Sequence, residues 1–215
     1  MQDEAGAPLS ADQTTPPSTR EHTGRLGAAR ATFVLAALAA LILDQLTKIW
    51  ATSALREGRT IDLIGDLLSL RLLRNSGAAF SLGDSRTWVM TLVALTVTIG
   101  IAWVARRVGS TLWGAALGLM FGGSLGNLVD RFVREPGPLR GHVVDFIDYF
   151  GLFVGNVADI AIVVGAGLLV LQTLRGVSLD GLHPAHADHT HTSGRVSDGT
   201  VAPVGDQSQI GEHHG

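Results

Sequence analysis

Aspartate side chains beside the most apolar stretches of the sequence are the first candidates for chemistry. Asp159, in GNVADI, follows the start of an apolar run at Leu152 by seven residues, which is about 10 Å along a helix. An ionised carboxylate without a basic neighbour is costly there. A second carboxylate close by would let the two share one proton, and such a pair activates water in aspartic proteases. Asp145 lies fourteen residues earlier across a short loop and is well placed, although Asp130 and Asp148 stay open as partners.

Other polar residues lie in or beside apolar segments, where each is costly and therefore a candidate for function. Asp44 and Lys48, in LDQLTKIW, are four residues apart and share a helix face, so a helix-stabilising ion pair explains them equally well. Asp130 precedes Arg131 in GNLVDR, and a structural anchor at a helix end is the favoured interpretation. The remaining candidates are Asn127 in the same motif, Asn156 before Asp159, and the loop motif RNSGAAF with Arg74, Asn75 and Gly77.

Simple structural roles account for several polar residues. Asp148 would cap the following helix or face water, and Asn75 taken alone is more often a turn residue than a ligand contact. Ser124 stands in GGSLG, at 122–126, which matches the spelling of the G-x-S-x-G nucleophile elbow. That motif requires a strand, a turn and a helix together with a histidine base. This serine lies in an apolar helix, so the match is interpreted as accidental.

The amino-acid composition and net charge exclude several classes of function. The 215 residues are 46% hydrophobic with a net charge of −3, so no basic surface for nucleic acid is indicated. The lack of cysteine excludes disulfides, thiolate nucleophiles and cysteine metal sites. His183, His186, His189 and His191 cluster near the C-terminus, but a flexible polar tail is the favoured interpretation and no metal site is predicted. Residues 1–30 contain no apolar run of the kind found in a signal peptide, so no cleavable one is expected.

Four apolar segments are long enough to cross a membrane as helices, since lipid offers no partner for exposed backbone polar groups. We predict an all-α membrane protein with transmembrane spans at about 31–52, 88–105, 112–129 and 152–174. They belong to one domain, 30–175, between polar tails at 1–29 and 176–215 that are predicted to be disordered. In the third span, glycine recurs at every fourth position from 114 to 126, which is interpreted as close helix packing only.

The segment between the first two spans, 53–87, is too long for a turn. Leucines at 68, 70 and 72 alternate with a serine and an arginine, and a period of two predicts a strand. The tripeptide NSG at 75–77 then indicates a turn. We therefore expect a small β-sheet at the membrane surface between helices 1 and 2.

Five short motifs make the sequence resemble a known family. LDQLTK, RNSGAAF, GNLVDR, HVVDF and NVADI occur in this order across four apolar spans, as they do in lipoprotein signal peptidase, the bacterial signal peptidase II. Each motif is short, but the five at these positions are specific, and the resemblance covers residues 31–175. The family consists of membrane aspartic peptidases. They remove the signal peptide of a prolipoprotein after the lipobox cysteine has received its diacylglyceryl group, and they cut just before that cysteine.

The resemblance implies a role for each matched residue. Catalysis would fall to Asp145 and Asp159, which selects Asp145 among the carboxylates left open above. Among the others, Arg131 and Asn75 would hold the substrate's backbone or its lipid-linked part. The full set implied in support or substrate binding is Asp44, Lys48, Asn75, Gly77, Gly123, Asn127, Asp130, Arg131, Val143, Asn156 and Ala158.

The resemblance also implies a cellular setting. The protein would be a multi-pass monomer of the bacterial cytoplasmic membrane, with both termini in the cytoplasm and the active site at the extracytoplasmic face. The distribution of arginine favours this orientation only weakly. Diacylglyceryl-prolipoproteins would enter from the lipid bilayer, and neither a cofactor nor nucleic acid is expected. The family's last motif reads FNxAD, whereas Gly155 replaces the aromatic residue here, so looser packing beside Asn156 is expected.

Two other classes of function remain open. A small proton-coupled transporter could use the same aspartates as relays, although four spans without an internal repeat suit alternating access poorly. A structural membrane subunit could use the polar residues only to bind a partner. Inhibition by a peptide antibiotic that mimics the lipoprotein junction would favour the peptidase over both.

Overall fold

Four α-helices dominate the computed structural model, which describes residues 19–77 and 87–179. The helices are α1 (Thr19–Ala54), α2 (Thr87–Ala105), α3 (Thr111–Val133) and α4 (Val157–Leu174). Each of them contains a stretch long and apolar enough to cross a membrane. The four predicted spans are therefore confirmed as helices with membrane-span character, whereas most of both tails, with the histidine cluster, lies outside the described residues.

Two helices begin more than one residue away from the predicted start. α1 begins at Thr19, so residues 19–29, assigned from the sequence to a disordered tail, are helical. α4 begins at Val157 rather than at Leu152, because Phe153–Gly155 form a strand before it. A short apolar strand that leads into an apolar helix cannot be separated from that helix by hydropathy alone.

A four-stranded antiparallel sheet accompanies the helices, with its strands in the order β1-β2-β3-β4. The strands are β1 (Thr60–Ile64), β2 (Leu68–Asn75), β3 (Val143–Tyr149) and β4 (Phe153–Gly155). The prediction of a sheet between helices 1 and 2 is therefore incomplete, since half of its strands come from the segment between α3 and α4. In the pairing of β2 with β3, Asn75 lies opposite Val143 and Leu73 lies opposite Asp145.

Alternation along β3 decides which of its side chains face α1. Val144 and Phe146 pack with Ala51 of α1 in one apolar cluster. Successive side chains of a strand point to opposite faces, so Asp145 projects from the other face of the sheet. Asp148 shares the face of Val144 and therefore points away from the side on which Asp145 lies.

Glycines allow α1 and α3 to approach each other closely. A Cβ atom at Gly118 would collide with the carbonyl oxygen of Phe33, and one at Gly122 with the carbonyl oxygen of Ala37. Gly114 makes the same kind of contact one turn earlier. These three glycines therefore serve packing, as their four-residue spacing indicates.

Replacing Gly122 with alanine is expected to lower the free energy of unfolding by about 1–3 kcal/mol, because the new methyl group overlaps a backbone carbonyl that has no room to move. Gly100→Ala is the matched control, since nothing lies within 4 Å of the Cβ position at Gly100. The control should be neutral or should stabilise α2 by up to about 1 kcal/mol. Unfolding of the purified variants in detergent micelles measures both effects, and equal stabilities would contradict the close approach of α1 and α3.

Candidate active site

One cavity of about 410 Å³ contains both candidate catalytic aspartates. Asp145 reaches it from β3 and Asp159 from the first turn of α4. Asn75, Asn127 and Arg131 also line it, so the cavity collects side chains from four separate elements. No group of three or more potential metal-ligating side chains occurs in the described part of the chain.

Asp159 lies in the first turn of α4 and not in its interior, where the apolar run placed it. Asn156 is the N-cap residue, and its side chain accepts a hydrogen bond of 3.1 Å from the backbone N–H of Asp159. In return, the backbone N–H of Asn156 donates to Asp159 Oδ2 at 3.1 Å. This reciprocal pair is a capping box, and a carboxylate is favourable at the positive end of the helix dipole.

Two side-chain amides donate hydrogen bonds to Asp145. Asn75 Nδ2 donates to Oδ2 at 2.8 Å, and Asn156 Nδ2 donates to Oδ1 at 2.6 Å. The backbone N–H of Gly77 donates to Asn75 Oδ1 at 2.8 Å, which leaves the NH₂ group of that amide for Asp145. Gly77 has a φ of +95°, a conformation that glycine adopts without strain.

Asn127 provides the corresponding hydrogen bond to Asp159. Its Nδ2 donates to Asp159 Oδ1 at 3.0 Å. Its Oδ1 accepts from Lys48 Nζ at 2.9 Å and from Asn156 Nδ2 at 3.2 Å. Because an ammonium group only donates, Lys48 determines which end of the Asn127 amide faces Asp159.

Lys48 lies at the centre of a buried ion network. Its Nζ is 2.9 Å from Asp44 Oδ2 and 2.8 Å from Asp130 Oδ2, and all three side chains are 0% exposed. Asp44 Oδ1 accepts the backbone N–H of Ala158 at 3.0 Å, and Asp130 Oδ2 accepts that of Val144 at 3.2 Å. Ala158 and Val144 directly precede the two candidate catalytic aspartates. The Asp44–Lys48 ion pair therefore exists. Through Asp44 and Asp130, its network also holds the backbone next to both candidate catalytic aspartates.

The anchor at the end of α3 is formed by Asp130 with Arg134 and not with Arg131. Arg134 Nε lies 2.6 Å from Asp130 Oδ1. Arg131 lines the cavity instead, and its buried Nη1 has no hydrogen-bond partner among the residues that the structure describes. Leaving a buried donor unpaired is costly, so this nitrogen is available to a bound ligand.

Asp148 does not have the role that was expected for it, whereas Ser124 fits the interpretation of its motif as accidental. Asp148 is only 4% exposed and lies 3.0 Å from Arg71 Nε, so it neither faces water nor caps α4. Ser124 lies within α3, without the strand–turn–helix setting of a nucleophile elbow. Its Oγ shares a 2.9 Å hydrogen bond with Thr98 Oγ1 between α2 and α3, a structural contact.

The last three of the residues implied by the resemblance lie close to the cavity. A Cβ atom at Gly123 would collide with the carbonyl oxygen of Ala158, so this glycine lets α3 approach the start of α4. Ala158 itself is fully buried. Val143 lines the cavity from β3, on the same face of the strand as Asp145.

Phe153 lines the cavity and was not singled out from the sequence. The expectation of looser packing beside Asn156 is wrong, since Asn156 is fully buried. A Cβ atom at Gly155 would lie 2.8 Å from Phe153 Cε1, so the ring of Phe153 already fills the space next to position 155. Recognition of a strand before the Asn156 cap would have shown that residues 153 and 155 share a face.

The environment of Asp145 favours its protonated form. Its pKa is raised to about 6, mainly because burial disfavours the charged carboxylate and also because Asp159 is negative. Hydrogen bonds from Asn75 and Asn156 act in the opposite direction. Neither aspartate forms an ion pair with any residue in the described ranges. Two carboxyl groups on one cavity, held by neutral donors, can share a single proton.

Comparisons with known proteins point to one family. The family model described as signal peptidase (SPase) II matches residues 36–175. The lipoprotein signal peptidase of Mycobacterium tuberculosis (strain ATCC 25618 / H37Rv) is 49% identical over 152 residues, which cover 71% of this chain and 75% of the relative. That of Rhodococcus jostii (strain RHA1) is 49% identical over 168 residues, which cover 78% and 82%. A bacterial membrane enzyme solved by the in meso method at 1.9 Å resolution superimposes with a TM-score of 0.57 at 27% identity, covering 67% of this chain and 94% of that one.

Two substitutions should move the pKa of Asp145 in opposite directions. Asp159→Asn removes a negative charge that raises this pKa, so the pKa should fall below about 6. Asn75→Ala removes a hydrogen bond that stabilises the carboxylate, so the pKa should rise above about 6. Infrared titration of the protonated carboxyl band in purified protein measures both shifts. Shifts of the same sign would contradict this account of the site.

Replacing Lys48 with methionine is expected to lower the free energy of unfolding by about 3–5 kcal/mol, because Asp44 and Asp130 would remain as buried charges without their shared cation. Arg74→Met is the matched control. Arg74 lies 2.8 Å from Glu57 in an ion pair whose side chains are 50% and 64% exposed, so its loss should cost less than about 1 kcal/mol. Denaturation in detergent compares the two variants, and similar losses would argue against a dominant role for the buried network.

Proposed function

The chain belongs to the signal peptidase (SPase) II family, and on that premise we propose that it cleaves diacylglyceryl-modified prolipoproteins with Asp145 and Asp159 as an aspartic pair. Membership of the family makes it a multi-pass bacterial membrane protease that removes signal peptides from lipoproteins. The observation that carries the finer proposal is the shared cavity, in which both carboxyl groups accept hydrogen bonds from neutral amides.

The proposed reaction starts with one proton on the pair. The raised pKa of Asp145 supports it as the partner that carries this proton. Asp159 would take a proton from a water molecule as the water oxygen attacks the scissile carbonyl carbon. Asp145 would donate its proton to the carbonyl oxygen, which becomes a hydroxyl group of the tetrahedral intermediate.

Collapse of the intermediate would complete the cleavage. The proton held by Asp159 passes to the leaving nitrogen as the C–N bond breaks, and Asp145 recovers a proton from a hydroxyl group of the intermediate. The signal peptide then ends in a carboxyl group, and the lipidated cysteine carries a free amino group. One water molecule is consumed, no electrons are exchanged, and the pair returns to its starting protonation state.

Arg131 is the residue that we assign to the substrate backbone. Arg131 lines the cavity, and its unpaired Nη1 would donate a hydrogen bond to a peptide carbonyl next to the scissile bond. Asn75 is better suited to holding Asp145, because its amide oxygen and nitrogen are already engaged by Gly77 and Asp145. The diacylglyceryl chains would stay in the bilayer.

The order of the elements is consistent with an orientation in which both termini lie on the same side of the membrane. α1 ends near the sheet and α4 begins beside it, so the two ends of the described chain lie at the opposite end of the helices. With both termini in the cytoplasm, the cavity would open at the extracytoplasmic face, where prolipoproteins are processed. One chain supplies both aspartates and every donor described above, so a monomer would suffice.

Asp145→Asn and Asp159→Asn are each expected to lower the rate of cleavage by at least about a thousandfold, because either change removes one of the two proton-transfer groups. Asp148→Asn is the matched control, since this buried aspartate lies on the same strand as Asp145 but faces Arg71. It should retain most of its activity. Incubation of the purified proteins with a diacylated lipoprotein precursor measures the three rates.

Membrane insertion of all three variants is checked by their yield and by their elution from detergent extracts. Cleavage retained by either variant of the pair would contradict the aspartic mechanism. Proton flux in liposomes without any peptidase activity of the wild type would instead support the transporter alternative.

A further inference from the structure

The ring of Phe153 occupies the space beside Gly155 and Asp159. A Cβ atom at Gly155 would lie 2.8 Å from Phe153 Cε1 and 3.0 Å from Asp159 Oδ2. The backbone of Gly155 is not in the left-handed region. Glycine at this position therefore leaves a space that is shared by the aromatic ring and the carboxylate, although its backbone conformation does not require glycine.

Phe153 also forms a wall between two cavities. The first is the cavity of about 410 Å³ that holds both aspartates. The second, of about 250 Å³, is lined by Tyr149 and by aliphatic residues of α4 that include Val163 and Val164. Phe153 and Asp159 are the two residues common to both linings. The ring and the carboxylate therefore mark the boundary between the two spaces.

The two sides of this wall differ in character. Val163 is 69% exposed and Val164 is 47% exposed, so the second cavity opens on an apolar surface of a helix that can cross the membrane. The ring of Tyr149 stacks on that of Phe153, with centroids 6.2 Å apart and planes inclined by 19°. Stacking at this separation favours the present positions of the two rings, although Phe153 is 56% exposed. The first cavity, in contrast, contains the polar groups proposed for catalysis.

From this arrangement we propose that Phe153 is a specificity-determining residue, which limits the size of the substrate side chain that fits beside the aspartates. The inference rests on the proposed function. In that reaction the residue after the cleaved bond is always the lipidated cysteine, so the side chain that can vary next to the aspartates is the one immediately before the bond. We expect a small side chain to fit within the first cavity beside the substrate backbone, and a large one to need the space that the ring occupies.

The test compares two diacylated precursors that differ only in the residue before the cysteine, glycine in one and leucine in the other. Wild-type protein should prefer the glycine precursor. Phe153→Ala joins the two cavities and should reduce the glycine-over-leucine ratio of kcat/KM at least about tenfold, since the fit of a few methylene groups is worth this much. Phe153→Leu, which retains part of the bulk, should give an intermediate ratio.

Leu152→Ala is the matched control, because Leu152 is an 89% exposed neighbour that lines neither cavity. It should keep the ratio of the wild type. An unchanged ratio in active Phe153→Ala protein, or an equal loss on both precursors in both Phe153 variants, would overturn the proposal. Failure of the wild type to cleave the glycine precursor would instead overturn the proposed function, and the inference with it.

Discussion

The candidate site depends on the ion pairs that one buried lysine forms with two aspartates. The ammonium of Lys48 is surrounded by Asp44, Asp130 and the amide oxygen of Asn127, all within 2.9 Å. Desolvated charges of this kind are stable only when paired and hydrogen-bonded. Each of the two carboxylates also accepts a backbone N–H, that of Val144 before Asp145 or that of Ala158 before Asp159. The positions of the two aspartates therefore depend on a charge that touches neither of them.

Neutral amides separate this charged network from the cavity. Asn127 accepts a hydrogen bond from Lys48 and donates one to Asp159. Lys48 therefore fixes the orientation of the amide that holds Asp159, without placing a full positive charge beside the carboxylate. A cation in direct contact would lower the pKa of an aspartate and make a shared proton unfavourable. Asn75 and Asn156 act in the same way on Asp145. The amides hold the carboxyl groups in place and leave their proton chemistry available.

Much of this arrangement could be predicted from the sequence. Burying a charged side chain in an apolar helix is costly, so each such residue stands out as a candidate for function. Hydropathy was sufficient for the four helices, and helical spacing for the Asp44–Lys48 pair. Hydropathy could not show that Phe153–Gly155 form a strand, since a short apolar strand and a helix start look alike. The N-V-A-D spacing of a capping box was the available signal for the true start of α4. Spacing alone did not separate Asp145 from Asp148, and the family resemblance made that choice. The physical reason for it is the alternation of β3, which puts the two side chains on opposite faces of the sheet.

The packing of α1 against α3 also determines where one member of the ion network lies. The glycine stripe of α3 that brings α1 close continues to Gly126, where a Cβ atom would collide with the carboxylate of Asp44. The same close approach that seats Gly122 on the backbone of α1 therefore makes room for the aspartate that holds Lys48 and Ala158. The sequence indicated that the glycines of α3 serve helix packing alone. Gly126 also leaves room for the carboxylate of Asp44. Because packed helices are not continuously deformable, a shift of α1 along α3 would displace this aspartate together with the start of α4.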